Sequence, residues 1–115
     1  MPDMTTTIRV AGTAFHQADL MYLKPKTEIQ LVREPKNAFD KNAIAVKNGD
    51  ATLGYIPRDV ASEMARLIDT TGVVPETSVE VCEKYRDHRS GKAVIGLTIR
   101  VTIRGVPNVG ETPVS

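Results

Sequence analysis

The chain lacks most of the residues that announce chemistry. It holds no tryptophan, one cysteine, two histidines, two phenylalanines and three tyrosines in 115 residues. The single Cys82 excludes an internal disulfide framework and fits a reducing compartment. One thiol with His16 and His88 cannot assemble a cysteine-rich zinc site. Net charge carries no signal either, since 15 Lys and Arg against 14 Asp and Glu leave +1. Any phosphate contacts must therefore come from a local cluster of cations rather than bulk basicity. No apolar run approaches the ~20 residues that span a bilayer, so no membrane association is expected. Met1-Pro2-Asp3-Met4-Thr5 has neither a basic stretch nor an apolar core, which predicts no secretory leader and a cytoplasmic location. There is no phosphate-cradling glycine loop, no nucleophile placed with a base and no metal-ligand spacing. The expectation is a non-enzymatic protein without metal or cofactor.

What is present is ordinary for a globular fold, with 41% hydrophobic and 25% charged residues. The length suits one domain with one core. Residues 1–5 read as a flexible lead-in, 6–104 as the folded domain, and 105–115, with Pro107, Gly110 and Pro113, as a disordered tail. Thr6 to Ala11 alternates as a first strand and ends at Gly12, before Phe15 and His16. The segment 17–26 reads as a loop or single turn. Thr27 to Arg33 is a second strand, which Pro35 stops. Ala43 to Lys47 and Thr52 to Ile56 form a hairpin around Asn48-Gly49-Asp50. Pro57 and Asp59 open the one convincing helix, whose apolar face is Val60, Ala61, Met64, Leu67 and Ile68, and Gly72 closes it. Val79 and Val81 alternate with Glu80 and Cys82 in a fifth strand. A basic loop, 86–92, leads to a last strand with Ile95, Leu97, Ile99, Val101 and Ile103 on one face. The fold expected is mainly β, a small six-stranded barrel or strongly bent sheet, with one helix after the fourth strand plugging an end.

The stretch Lys36-Asn37-Ala38-Phe39-Asp40-Lys41-Asn42 sits between apolar strands. Two readings of it stand side by side. In one, Asp40 and the asparagines are local turn chemistry and Phe39 folds into the core. In the other, Phe39 with Phe15, a second aromatic at a strand end, forms stacking surfaces for bases. Lys24, Lys26, Lys36, Lys41 and Arg58 then supply phosphate contacts.

The runs Val10-Ala11-Gly12-Thr13-Ala14-Phe15, Leu31 to Val46 (LVREPKNAFDKNAIAV) and Leu53-Gly54-Tyr55-Ile56-Pro57-Arg58 resemble the HIRAN domain. This module is found at the N-terminus of certain DNA helicases and as small free-standing bacterial and phage proteins. The similarity runs roughly from Ile8 to Ile103 and is weak after Gly72. It implies an OB-like barrel that binds single-stranded DNA and captures its 3′ end. Phe39 would stack on a terminal base, Asp40 would accept a hydrogen bond from the 3′-hydroxyl, and Phe15 would add a second stacking face. Asn37, Tyr55 and Arg58 lie where family members place further nucleotide or phosphate contacts, and Lys41, from the local cations, completes the nucleic-acid-binding set. Phe39 stands where tyrosine is commoner, Ala38 where many members have proline, and Ala14 where end-binding members can carry a basic residue. The resemblance points to DNA repair or replication-fork processing, with a helicase or repair protein as partner. The near-zero net charge supports a different class of function, an adaptor that recruits a protein along an exposed strand edge.

Overall fold

The computed structural model describes residues 3–104. Six strands form, β1 (Met4–Arg9), β2 (Glu28–Arg33), β3 (Ile44–Asn48), β4 (Ala51–Tyr55), β5 (Glu76–Arg86) and β6 (Ala93–Ile103). A 3-10 turn at Thr13–Phe15 and one helical turn, α1 (Gln17–Leu20), follow β1, and the long helix α2 (Arg58–Thr71) follows β4. The strands make one antiparallel sheet in the order β1-β6-β5-β2-β3-β4. The expected six strands and one principal helix are all there. β1, however, starts at Met4: Met4 and Thr5 pair with Ile103 and Thr102, because the long β6 offers a ladder to them. They are strand rather than lead-in. Met1, Pro2 and the tail read at 105–115 lie outside the described residues.

The sheet curls until its two ends meet. Past β1, the Val10 N–H bonds the Leu97 carbonyl on β6 at 2.9 Å, and Ala11 then crosses to β4. There Ala11 and Tyr55 exchange both backbone hydrogen bonds at 2.8 Å. Gly54 allows this approach, since a Cβ there would lie 2.5 Å from both the Ala11 carbonyl oxygen and Val10 Cγ1. The result is a small curled barrel of OB-like character.

Its core is aliphatic. Ile8, Val10, Leu31, Ile44, Val46, Leu53, Leu97, Ile99 and Val101 are buried together with Ala61, Met64, Ala65 and Ile68 of α2. Ala65 takes the place expected for Leu67, which is partly exposed, because the buried stripe is narrower than the apolar pattern. Pro57 is the residue before the helix rather than its first, and its carbonyl accepts the Val60 and Ala61 N–H groups. Gly72 ends α2 in the left-handed conformation as expected, with its N–H on the Ile68 carbonyl at 2.7 Å. Arg33, at the end of β2, grips Asp69 of α2 through two bonds of 2.9 Å. Each is charge-assisted and raises the arginine pKa while lowering that of the carboxylate.

One side-chain alternation differs from the simple pattern. A bulge between Val79 and Val81 shifts the register of β5 against β6. One extra residue turns every later side chain over. Val81 therefore faces out, while Cys82 packs against the core with its Sγ donating to the Leu20 carbonyl at 3.4 Å. Burial raises the Cys82 thiol pKa.

Candidate functional site

The loop between β2 and β3 is built from its own side chains. Its neck is closed by the Glu34 N–H on the Ala43 carbonyl at 2.9 Å. Asn37 Oδ1 accepts the backbone N–H groups of Phe39 (2.9 Å) and Asp40 (3.1 Å), and its Nδ2 donates to Glu34 Oε1 at 3.0 Å. Asp40 Oδ1 accepts the Asn42 N–H at 2.9 Å. Arg33 Nη1 reaches up from below to the carbonyls of Lys41 (3.0 Å) and Ala43 (2.9 Å). The turn-chemistry reading thus describes Asn37 and half of Asp40, whose side chains replace backbone partners in a short loop.

It does not describe Phe39. The residue is 88% exposed rather than folded into the core. A loop pinned at Asn37 holds the ring outward, so its apolar face stays in water at a standing hydrophobic cost. Next to it Asp40 Oδ2 faces Arg58 Nε at 3.5 Å, and Arg58 also donates to the Phe39 carbonyl at 2.6 Å. The Tyr55 hydroxyl donates to Glu34 Oε1 at 3.0 Å, so one carboxylate oxygen ties β4 and Asn37 together. Burial, and then this bond to Glu34, raise the Tyr55 pKa and keep the phenol protonated.

A depression of about 390 Å³ gathers Asn37, Phe39, Asp40, Tyr55 and Arg58 with Ala11 and Pro57. Five of the seven predicted residues therefore meet in one place. Lys41 is exposed on the same loop but does not line the depression. Phe15 does not line it either. It is 86% exposed on the 3-10 turn, which packs against β4 and β6. Gln17 locks that turn by bonding both backbone groups of Ile95 on β6, donating at 3.0 Å and accepting at 2.7 Å. Glu34 and Ala11 were not expected in the site. Glu34 carried a signal in its position, a carboxylate at a strand end before Pro35, whereas Ala11 is placed only by barrel closure.

Phe15, Tyr22, Phe39 and Tyr85 are all exposed, and Tyr55 is half-buried, so the core contains no aromatic ring. A chain this poor in aromatics has kept every ring out of its core. A wider groove of about 600 Å³ runs between β2 and β5 past Glu28, Ser78 and Arg100. No aromatic lines it, and its arginine is held by Glu80 at 2.8 Å. Among the described residues no three of His, Cys, Asp and Glu stand together to hold a metal, and no helix is long and apolar enough to cross a membrane.

The HIRAN domain family model matches residues 4–103. A Fanconi-associated nuclease 1 homolog of Arabidopsis thaliana is 37% identical over 92 residues, taking in 67% of this chain and 10% of that protein. A putative SWI/SNF-related matrix-associated actin-dependent regulator of chromatin subfamily A member 3-like 1, also from Arabidopsis thaliana, is 44% identical over 55 residues. That alignment covers 43% of this chain and 6% of the relative. The chain spans about a tenth of the length of the curated relatives it matches first. Among solved structures, the HIRAN domain of human HLTF shares the fold at a TM-score of 0.61 and 20% identity, over 88% of this chain and 77% of that one. A protein from Lactobacillus plantarum aligns at a TM-score of 0.63 and 27% identity, over 89% of this chain and 99% of its own.

Proposed function

The chain belongs to the HIRAN domain family of nucleic-acid-binding modules, and from that premise we propose that it binds single-stranded DNA and reads its 3′-hydroxyl end. The observation that carries this reading is Phe39, a residue 88% exposed on a loop whose hydrogen bonds fix it in place. A terminal base stacks on Phe39. The sugar then lies over the depression, where Asp40 Oδ2 accepts the 3′-hydroxyl proton. Oδ1 is held by the Asn42 N–H, so the carboxylate is aimed before DNA arrives. A 3′-phosphate meets the same carboxylate as a like charge and is disfavoured. Arg58, mostly exposed, turns from Asp40 toward a backbone phosphate, and Lys41 and Phe15 extend the surface along the strand. Asn37 and Tyr55 act by positioning, through Glu34. The module works in DNA repair or at replication forks, alone or beside a helicase or nuclease that supplies the chemistry.

Fluorescence anisotropy with matched oligonucleotides tests the reading. The 3′-hydroxyl strand binds more tightly than the 3′-phosphate strand, and Asp40→Ala removes the difference. Phe39→Ala weakens the hydroxyl strand by about 5- to 150-fold, the value of one base–aromatic stack. Arg58→Ala or Lys41→Ala weakens both strands alike and flattens the salt dependence. Equal binding of the two ends by the unaltered protein would remove end recognition. No oligonucleotide binding at low salt, together with capture of a protein, would favour the adaptor.

A further inference from the structure

The net charge of +1 conceals a polar distribution. Beyond the Cys82–Leu97 pair, β5 and β6 run on as a two-stranded ribbon to the Arg86–Ala93 pair, joined by residues 87–92. Glu83, Lys84, Tyr85, Arg86, Lys92 and Ala93 are all exposed there, so the β5 side and the tip of the ribbon stand clear of the core, while Ile95 and Gly96 of β6 keep its base buried. It carries Lys84, Arg86, Arg89 and Lys92, and Arg9 of β1 joins them by lying over the Tyr85 ring at 4.9 Å. The ribbon end thus has five of the fifteen cations and only Glu83 and Asp87 of the fourteen acids, while the rest of the chain holds ten against twelve.

These cations are available. Among the described residues Arg9, Lys84, Arg89 and Lys92 form no ion pair, and Arg86 bonds only the Gly91 carbonyl. Arg33, Arg100 and Arg104, by contrast, are each held by a carboxylate. Asp87 is consumed in the turn, accepting Ser90 N–H at 3.0 Å and Ser90 Oγ–H at 2.8 Å, and Arg89 adds a backbone bond and its nearby charge. The turn is preformed: the Asp87 backbone N–H donates to the Lys92 carbonyl at 2.8 Å, and Gly91 takes the left-handed conformation at φ 71° that a side chain resists. Gly96 completes the platform, because any Cβ there would collide with the Arg9 guanidinium and the Tyr85 ring.

We propose that this ribbon is a second nucleic-acid surface, one that holds the phosphates of a duplex. Two strands about 4.8 Å apart fit a major groove about 12 Å wide, and the cations along β5 and at the tip, with Arg9 over Tyr85, then face the flanking phosphates. The ribbon joins the barrel next to the turn that carries Phe15, through the Gln17–Ile95 bonds. The preferred substrate is therefore a duplex with a single-stranded 3′ extension. This deepens the proposed function and rests on its nucleic-acid reading, but not on the reading of the strand end.

The test uses a closed hairpin duplex bearing a 3′-phosphate, which offers the Phe39–Asp40 depression no free hydroxyl. The unaltered protein binds it at low salt, and Lys84→Ala/Arg89→Ala/Lys92→Ala binds it at least about tenfold more weakly. The slope of log affinity against log salt falls in magnitude by about 2–3, close to 0.9 for each phosphate no longer neutralised. Those three side chains extend into solvent without an ion pair, so the fold does not depend on them, and an unchanged melting temperature verifies this. The variant keeps its ratio of 3′-hydroxyl to 3′-phosphate binding on a single strand, while Asp40→Ala loses that ratio and keeps the duplex. Duplex binding that is absent, or is the same with and without the three cations, overturns the ribbon proposal and leaves the end-reading site standing. Loss of the end ratio alone leaves the ribbon standing.

Discussion

Gly54 is the residue on which closure of the sheet turns. Its neighbours Val10 and Ala11 lie so close that a methyl group has nowhere to go without moving backbone. Gly54→Ala is expected to cost about 1–3 kcal/mol, the range for overpacking a tight interior, and a urea denaturation curve reads it directly. A loss under about 0.5 kcal/mol would mean that the contact between β4 and the chain after β1 relaxes easily. The site residues divide in a similar way. Asn37 has both side-chain polar atoms engaged within the protein, whereas Phe39 presents a free face and Asp40 keeps one oxygen toward an exposed arginine. A residue whose bonds are complete shapes the loop, and those with free capacity are the ones we propose to meet the strand end.

At the scale of elements, Arg33 links three parts of the molecule. It ends β2, bonds two carbonyls of the Phe39 loop and grips Asp69 on α2. The Asp69 pKa is depressed chiefly by its hydrogen bond to Arg33. A carboxyl whose folded pKa lies below its unfolded value stabilises the fold above the ordinary aspartate range. That contribution fades as pH falls through the lowered value. Asp69→Asn is therefore less stable than the natural chain near pH 6, and the gap between their urea midpoints narrows as pH drops below about 4. A gap independent of pH would show that the asparagine disturbs packing rather than charge. The same substitution releases Arg33 at one end, so the loop beneath Phe39 loses part of its support. The β5 bulge acts at this scale too, turning Cys82 inward and sending Tyr85 to the outer face beside Arg9.

For the whole molecule, the decisive contact is between Ala11 and Tyr55. It converts a six-stranded sheet with two formal edges into a curled barrel, and it brings the chain leading to Phe15 beside the strand that carries Tyr55. Hydrogen exchange measures it residue by residue. The amides of Ala11 and Tyr55, each bonded to the other's carbonyl at 2.8 Å, are expected to exchange slowly, as ladder amides of the sheet do. Exchange of both at the rates of exposed loop amides would mean that the barrel stands open. Closure also orders the charge: the Phe39 depression and the basic ribbon stay separate, on either side of the 13–17 segment, so the strand end and the duplex we propose do not compete for one surface.

The alternation of Ile95 to Ile103, the turn at Gly49, the helix after Pro57 and its Gly72 stop were all legible in the sequence. Each depends on side-chain period or on backbone freedom a few residues wide. The loop around Phe39 was legible for the same reason, since Asn37 and Asp40 bond amides two or three residues away. The bulge after Val79, the core place of Ala65, the strand status of Met4 and Thr5, and the hub at Glu34 were not. A strand's inward face depends on its partner's register, an alanine is buried by what packs over it, and strand ends form only where a neighbour is long enough. Phe39 marks the boundary most sharply. Local sequence set its loop, but whether the ring pointed into the core or into water was decided by a barrel that aliphatic side chains had already filled.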